Sequence, residues 1–390
     1  MTAAGVANAV AAAPTLLQSG DGDSAVLLPE WLADVLGLDA FGGAGTAIAA
    51  LIGAFVIANV LLLNAALAGP WAKRKIAAAF WGKIGPNRMG PGGILIIVAD
   101  SVRMLSKELI VPEGADRPAW DLAPIVVAGS AMLGFAVIPF GEIGGVQVQL
   151  ADPEIGLVLV FAIASVTSVG LVMGGYASSN KFSMLGSLRA VAQNIAYEIP
   201  LIIAAASVVI FAGTLQLSGI VEAQTETLFS VGGFGIPAWY ALVNPFAFLL
   251  FITANLAEVG RNPFDIPEAP TEIVAGYQTE YSSVYFVLIY LGEFLHIFLG
   301  GALAAVVFLG GGAGPVLPGP IWLIVKMWAF FLFTQWARQT FPRVRIDQLI
   351  EIGWKGLLVL TFANLILTAI LVGALEGDVE FAFAAVVIPA

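Results

Sequence analysis

The 390-residue chain contains no cysteine and a single histidine, His296. It therefore cannot ligate an iron–sulfur cluster through thiolates, close a disulfide, or hold a haem between two histidines. Any redox chemistry it takes part in has to be carried by a partner or by a diffusible molecule. Charge is also scarce: 11% of residues are charged, where a soluble domain carries about 25%. Cations are the rarer sign, with 16 Lys and Arg against 27 Asp and Glu and a net charge of −11. No nucleic-acid partner is expected. The first 40 residues lack a basic stretch ahead of an apolar run, so a standard secretory signal is not expected.

What is present is hydrophobic: 59% of the chain, with a mean hydropathy of +0.94. The expected fold class is an all-α polytopic membrane protein. The length fits one membrane domain without a large soluble module. The expected division is an amino-terminal tail over 1–40, a membrane domain over 41–376 and a carboxy-terminal tail over 377–390. The first tail is Ala-rich and then acidic, and reads as loose, with a short helix near Pro29 to Leu38.

About 20 apolar residues cross a bilayer as a helix. Charge-poor runs of that length predict eight spans, placed within Ala40–Ala72 and at about Leu122–Gly141, Ile155–Ala177, Gln193–Thr214, Trp239–Ala257, Val284–Leu309, Ile321–Ala337 and Gly356–Leu375. Gly310–Pro320 has the composition of a turn. With these spans, 15 of the 16 Lys and Arg fall in the alternate loops on one side; Lys326, inside the seventh span, is the exception. The positive-inside rule then puts the charged loops on the cytoplasmic side of a cell membrane and both termini outside.

The loop between spans one and two is long. In it Ile94, Ile97, Val98, Val102, Leu105 and Leu109 fall at helical spacing, with Asp100, Arg103 and Lys107 off that stripe. The pattern predicts an amphipathic helix on the inner membrane surface; an ordinary interfacial helix with no special role fits it equally.

Ionisable groups also occur inside the spans: Glu198 before Pro200, Glu258 at the end of span five, Glu293 and His296 three apart on span six, and Lys326 on span seven. Each is costly against lipid, so each should face the bundle interior, water or a partner. Glu293 and His296 share a helix face, and Glu293 and Lys326 are a possible pair. For His296 alone the plainer reading is a satisfied interior histidine.

Between spans five and six lies an acidic loop, Glu258 to Tyr281, with Glu258, Asp265, Glu268, Glu272 and Glu280 and one cation, Arg261. Pro267 and Pro270 predict a helix start near Thr271, which would bring Glu272 and Glu280 near one face. Carboxylates crowded in low dielectric cannot all ionise, so proton occupancy there would respond to a nearby change of charge. A solvated acidic loop is the alternative; Phe264, Tyr277, Tyr281 and the Ile-Val-Ala-Gly run argue against it.

At this point the motifs resemble a known family. Lys73-Arg74-Lys75 is followed by G-P-N-R-M-G-P-G-G (Gly85–Gly93) and by A-D-S-V-R-M-L-S-K-E (Ala99–Glu108). Ser178–Gln193 leads to Y-E-I-P (Tyr197–Pro200), and Arg261–Tyr281 carries R-N-P-F-D-I-P-E-A-P-T-E-I-V-A-G-Y-Q-T-E-Y. F-P-R-V-R-I-D-Q-L (Phe341–Leu349) precedes G-W-K (Gly353–Lys355). In this order the motifs resemble the NuoH family, the quinone-site membrane subunit of respiratory complex I, over about Ala44 to Leu375. The departures are Lys73 where the family has Glu, Trp81 and Lys83 where Gln and Arg are usual, and Pro270 in place of a loop carboxylate.

The resemblance implies a membrane subunit of a proton-pumping NADH-quinone oxidoreductase that forms the quinone cavity and couples quinone reduction to proton translocation. On it, Glu258, Asp265, Glu268, Glu272, Glu280, Glu198 and Glu293 are the proton-coupling candidates. Arg74, Trp81, Arg261, Phe264 and Tyr277 are the candidates for the quinone cavity. It further implies quinone (ubiquinone or menaquinone) as substrate, no cluster or haem in this chain, and no catalysis by the isolated chain. The implied partners are iron–sulfur and quinone-site subunits of a peripheral arm, antiporter-like and small membrane subunits, and the lipid bilayer. The coupling change would pass along Glu198, Glu293 and Lys326 towards the membrane partners. The homologous subunit of a membrane-bound hydrogenase, or of a complex fed by another donor, is the nearest alternative. A secondary transporter would more often show inverted repeats, and none is evident; intramembrane Glu198, Glu293 and Lys326 argue against a passive anchor. The family reading predicts that Asp265→Ala or Glu272→Ala abolishes quinone-linked turnover while the complex still assembles; normal turnover in both would overturn it.

Overall fold

The computed structural model describes residues 26–36, 43–144, 146–225, 227–231, 234–267, 272–314 and 317–378. Glu268 and Pro270 of the acidic loop lie outside the described residues, as does most of the amino-terminal tail.

Helix dominates. α1 (Leu28–Val35) is followed by α2 (Gly43–Leu62), which passes through a π-helical turn into α3 (Gly69–Phe80). Then come α4 (Leu95–Leu105), α5 (Arg117–Gly134), α6 (Gly156–Ala177) and α7 (Lys181–Ala212). The short α8 (Leu217–Ala223) and α9 (Tyr240–Val243) precede α10 (Pro245–Glu258), α11 (Ser283–Phe308) and α12 (Gly319–Thr340). α13 (Ile346–Glu351) runs through a second π turn into α14 (Leu358–Asp378). Sheet among the described residues is confined to small pieces. β2 (Glu142–Ile143) and β3 (Val146–Gln147) pair antiparallel, and β1 (Val26–Leu27) adds to β3 in parallel. β4 (Thr227–Val231) and β5 (Phe234–Pro237) form an antiparallel pair.

Six helices among the described residues are long and apolar enough to cross a membrane: Ala44–Phe80, α6, α7, α11, α12 and Ile346–Ala374. The expected second and fifth spans are shorter than the hydropathy runs suggested. α5 ends at Gly134, and the apolar run beyond it turns back so that Phe140 N–H donates to the Val148 carbonyl at 3.0 Å; Pro139 has no N–H with which to continue a helix. The run from Trp239 breaks at Asn244, whose side chain caps α10 by accepting from Ala247 N–H, with Pro245 at the first helical position. At 14 residues, α10 is about 21 Å long, less than the hydrocarbon thickness of about 30 Å.

Other helices run further than expected. The basic motif Lys73–Lys75 is still helical, because α2 and α3 are one continuous rod to Phe80. Ser178–Gln193, read as a loop, is almost wholly the first turns of α7. Asn180 starts that helix by accepting from Phe182 N–H at 2.9 Å, and Ser183 and Ser187 are buried. The short helix near Pro29 is present as α1; it lies on α2, with Leu28 and Leu32 against Gly53. The amphipathic helix is α4, but it stops at Leu105, short of Leu109. Ile97 is buried while Val98, Val102 and Leu105 are exposed, so most of the apolar stripe is left for lipid or a partner.

The predicted helix from Thr271 is absent. Ile273–Ala275 are turns, and the one helical piece is a 3-10 turn at Gly276–Gln278. Val274 and Gly276 have φ of 62° and 58°, which an α-helix cannot accommodate. The turn is seated on α7: Ser183 Oγ donates to the Tyr277 carbonyl at 3.1 Å. Gly186 allows this contact, because a Cβ there would lie 2.6 Å from Gly276 Cα and 2.7 Å from Tyr277 N.

α11 is the central helix: 83% of an 18-residue apolar stretch of it is buried, against 22–44% for the corresponding stretches of the other five long helices. It packs on α5 and α12, and α7 packs on α6, α10 and α14. Small residues let the backbones close: a Cβ on Gly292 of α11 would meet Val127 at 2.9 Å, and one on Gly170 of α6 would meet the same side chain at 2.8 Å. Gly186→Ala should push the 276–278 turn off α7, destabilise the fold by about 1–3 kcal/mol, and open residues 272–281 to limited proteolysis in the purified complex. Unchanged cleavage there would show that this contact does not hold the loop.

Candidate functional site

The walls of α5, α6, α7, α10 and α11 enclose a polar cavity of about 70 Å³. It is lined by Glu198 from α7, Glu258 and Arg261 from the end of α10 and the turn after it, Tyr277 from the acidic loop, and Glu293 and His296 from α11. Neutral polar groups also line it, Thr167 and Ser168 from α6 and Gln193 and Asn194 from α7, among apolar side chains such as Val127 and Leu171. In an otherwise apolar bundle these groups face one another rather than lipid, as intramembrane polar residues must.

The cavity's edge is built around one ion pair. Arg261 Nη2 lies 3.0 Å from Glu293 Oε2, with the two side chains only 4% and 12% exposed. Glu293 Oε1 accepts from Tyr277 Oη–H at 2.8 Å and from Gln278 Nε2–H at 2.5 Å. The 3-10 turn is thus what delivers two donors to a carboxylate on α11. Gly260, at φ 65°, turns the chain so that Arg261 reaches it. On the opposite wall Gln193 Nε2 donates to the carbonyls of Ala257 and Phe264 at 2.6 and 2.9 Å, tying α7 to the end of α10. Gln193 Oε1 has no partner among the described residues, which suits a hydrated chamber.

The structure therefore brings together Glu198, Glu258, Glu293, Arg261 and Tyr277 of the residues expected from sequence. Two of the other loop acids, Glu272 and Glu280, are held separately from the cavity. Glu272 is exposed and bridged to Arg189 at 2.7 Å, and Glu280 accepts from Asn180 Nδ2 at 2.5 Å. The Asp265 backbone carbonyl accepts from Arg343. Phe264 packs on Tyr197, ring centroids 5.6 Å apart. Arg74 is paired with Asp100 at 2.6 Å, away from the cavity. Trp81 is 68% exposed, its indole N–H donating to Gln339.

Lys326 does not pair with Glu293. Its ammonium donates to the carbonyls of Leu309, Gly311 and Ala313 at 2.7, 2.6 and 3.1 Å. These acceptors are the C-cap residue of α11 and two residues of the turn after it, so the ammonium sits at the helix's negative pole. Glu293 lies 16 residues before Leu309, about 24 Å along the helix. A direct Glu293–Lys326 link is ruled out by that geometry. Thr167, Ser168, Gln193 and Asn194 were missed from sequence. Their signal was faint: uncharged polar residues inside runs that hydropathy reads as featureless.

Outside the membrane-spanning segments, the Arg189 guanidinium bonded to Glu272 holds its carboxyl below the usual carboxylate value, helped by Arg343 and Arg345. A lowered folded value makes the contact stabilising above the unfolded carboxylate value of about 4.3, and that contribution is lost as pH falls through the folded value. Amide protection of residues 272–280, corrected for intrinsic exchange, should therefore drop on acidification below about pH 4. Glu272→Gln should show the lowered protection already at neutral pH; equal protection in variant and parent at neutral pH would overturn the assignment.

Sequence comparison finds relatives over most of the chain. The sequence profile of the NADH dehydrogenase family matches residues 52–369. The H subunit of the NADH-quinone oxidoreductase of Thermomicrobium roseum is 44% identical over 322 residues, 81% of this chain and 94% of that protein. Its counterpart in Dehalococcoides mccartyi strain CBDB1 is 42% identical over 315 residues, 81% of this chain and 83% of that protein. That of Geobacillus kaustophilus is 39% identical over 353 residues, 88% and 98% of the two chains. The chain belongs to the NADH dehydrogenase family, among the H subunits of the NADH-quinone oxidoreductases.

Proposed function

We propose that this chain is the membrane subunit of a complex I-like NADH-quinone oxidoreductase that conveys protons between a quinone site and the partner membrane subunits. The observation that carries the reading is the cavity: three carboxylates, Glu198, Glu258 and Glu293, with Arg261, on one polar chamber inside an apolar bundle. A passive anchor has no use for such an arrangement, which is costly to bury.

The quinone ring itself belongs outside this chamber. A cavity of about 70 Å³ admits a few waters but is well below the roughly 150 Å³ that accommodates benzene. The ring is better placed at the outer edge, by the acidic loop and the exposed Trp81, on a surface shared with a peripheral subunit. Arg261, Phe264 and Tyr277 would act from behind that surface, with Arg74 and Trp81 at its side. Quinone reduction takes up a proton for each electron, and the electrons come from a partner. The change of charge at the loop, where Asp265, Glu268, Glu272 and Glu280 lie, reaches Glu293 through Tyr277 and Gln278, which join loop and carboxylate by hydrogen bonds. Glu258 and Glu198 then exchange protons with it through the chamber. Lys326, at the far end of α11, holds that helix end rather than serving as the next step.

α5 and α10, packed among the six long helices, complete eight spans on this reading. The cationic segments then lie together on the cytoplasmic side with both termini outside, as the charge asymmetry requires. Glu258→Gln and Glu293→Gln should leave the complex assembled. They should lower NADH-driven proton uptake into inside-out vesicles on the order of tenfold or more. Parent-level uptake in both variants would overturn the proposal.

A further inference from the structure

The sole histidine, His296, lies one turn beyond Glu293 on α11 and on the wall of the same cavity. Its hydrogen bonds run through Thr167, which also lines the chamber, to Ser130 behind it. Its Nε2 is 2.7 Å from Thr167 Oγ1 on α6. Thr167 Oγ1 is 2.6 Å from Ser130 Oγ on α5, and Ser130 Oγ donates to the Val127 carbonyl at 3.1 Å. Thr167 and Ser130 are 8% and 4% exposed. Three helices thus meet through a short chain of hydroxyls that starts at an imidazole and stops at a backbone carbonyl.

Counting hydrogens orders this chain. A hydroxyl has one proton and a carbonyl only accepts. With the Ser130 proton on Val127, the short Ser130–Thr167 contact needs the Thr167 proton. The Thr167–His296 contact then needs a hydrogen on Nε2. Nδ1 is left as the acceptor of the neutral ring, and no hydrogen bond among the described residues occupies it. If Nδ1 gains a proton, Nε2–H still donates outward and the hydroxyl chain is already oriented to support the cation. The chain ends at a carbonyl, so it cannot pass a proton onward; it fixes the ring and its hydrogen.

We propose that His296 is a proton-accepting residue of the cavity, receiving its proton at Nδ1 and returning it to the chamber, with Thr167 and Ser130 as positioning residues that hold the ring and set its tautomer. The charged and titratable groups facing it across the chamber are Glu198, Glu258, Glu293, Arg261 and Tyr277. The proton exchanged on His296 is one that those carboxylates release or take back. No bond other than N–H and O–H is made or broken. The inference rests on the proton-conveying reading of the cavity, which Glu258→Gln tests by itself.

The test uses the intact complex in inside-out vesicles. NADH-driven quinone reduction and proton uptake are followed across the whole pH range in which the complex stays assembled. His296→Asn keeps a donor for Thr167 but accepts no proton. It should preserve assembly, lower coupled proton uptake several-fold, and remove one limb of its pH profile. Thr167→Val, which keeps the histidine but frees the ring, should shift that limb without removing it. A His296→Asn profile parallel to the parent's, or equal losses at every pH in both variants, would overturn the proposal and leave His296 a packing residue. If Glu258→Gln abolishes uptake while His296→Asn changes nothing, this inference alone fails. If neither variant changes uptake, the reading of the cavity fails with it.

Discussion

The Arg261–Glu293 ion pair is the contact on which the interior arrangement depends. Two charges at 3.0 Å, almost fully removed from solvent, are tolerable only when paired and hydrogen-bonded. Removing one partner of such a pair typically costs about 3–5 kcal/mol. Here the pair joins three segments distant in sequence. Arg261 comes from the turn after α10, Glu293 from the central helix, and the supporting donors Tyr277 and Gln278 from the acidic loop. The loop therefore is not an appendage: its backbone turn exists to present those donors. Phe294 adds an aromatic face 5.4 Å from the Arg261 guanidinium, which favours the same position.

A second constraint comes from the bilayer. Apolar contact between helices gains little where lipid tails are equally apolar, so close backbone packing and interior polar contacts hold the bundle instead. Both are visible. Glycines at 134, 170 and 292 leave room for side chains of neighbouring helices, and Asn255 of α10 donates to the Gly300 carbonyl of α11 at 2.8 Å. The outer helices keep large apolar side chains outward, with Leu51 and Phe55 on α2 and Ile370 on α14 all more than half exposed. Polarity is concentrated inward, at the cavity and at the two ends of α11.

Much of this was legible in the sequence. Six of the eight charge-poor runs became long apolar helices, because hydropathy over about 20 residues is a local quantity. The ordered motifs pointed to the family that the comparisons then showed. The acidic loop was misread as helical because Pro267 and Pro270 are consistent with a helix start, while the turn at Gly276–Gln278 is seated on α7 by contacts that no window of sequence contains. The length of α7 was underestimated for a related reason. Lys181 and Arg189 look like loop residues to a hydropathy window, yet the helix continues through them, because Asn180 caps it and the face carrying Ser183 and Ser187 is buried. Of the site, the charged members were legible because charge inside a membrane run is conspicuous. The uncharged ones were not, since Thr167 and Gln193 alter local hydropathy only slightly.

By itself, the sequence determined that this is a membrane-embedded helical chain without thiol or paired-histidine redox ligands, and that its acids gather between two apolar runs. Composition and local pattern suffice for those statements. Which acids share a chamber and which stand at its edge was decided only by tertiary structure. Glu198, Glu258 and Glu293 come from three different helices and meet because α7, α10 and α11 pack together. Glu272 and Glu280, neighbours of Glu293 in the chain, are instead drawn outward by Arg189 and Asn180. The pairing of Lys326 with carbonyls past α11 belongs to the same category. A charge's partner is set by which helix ends approach it in space, and spacing along the chain does not encode that.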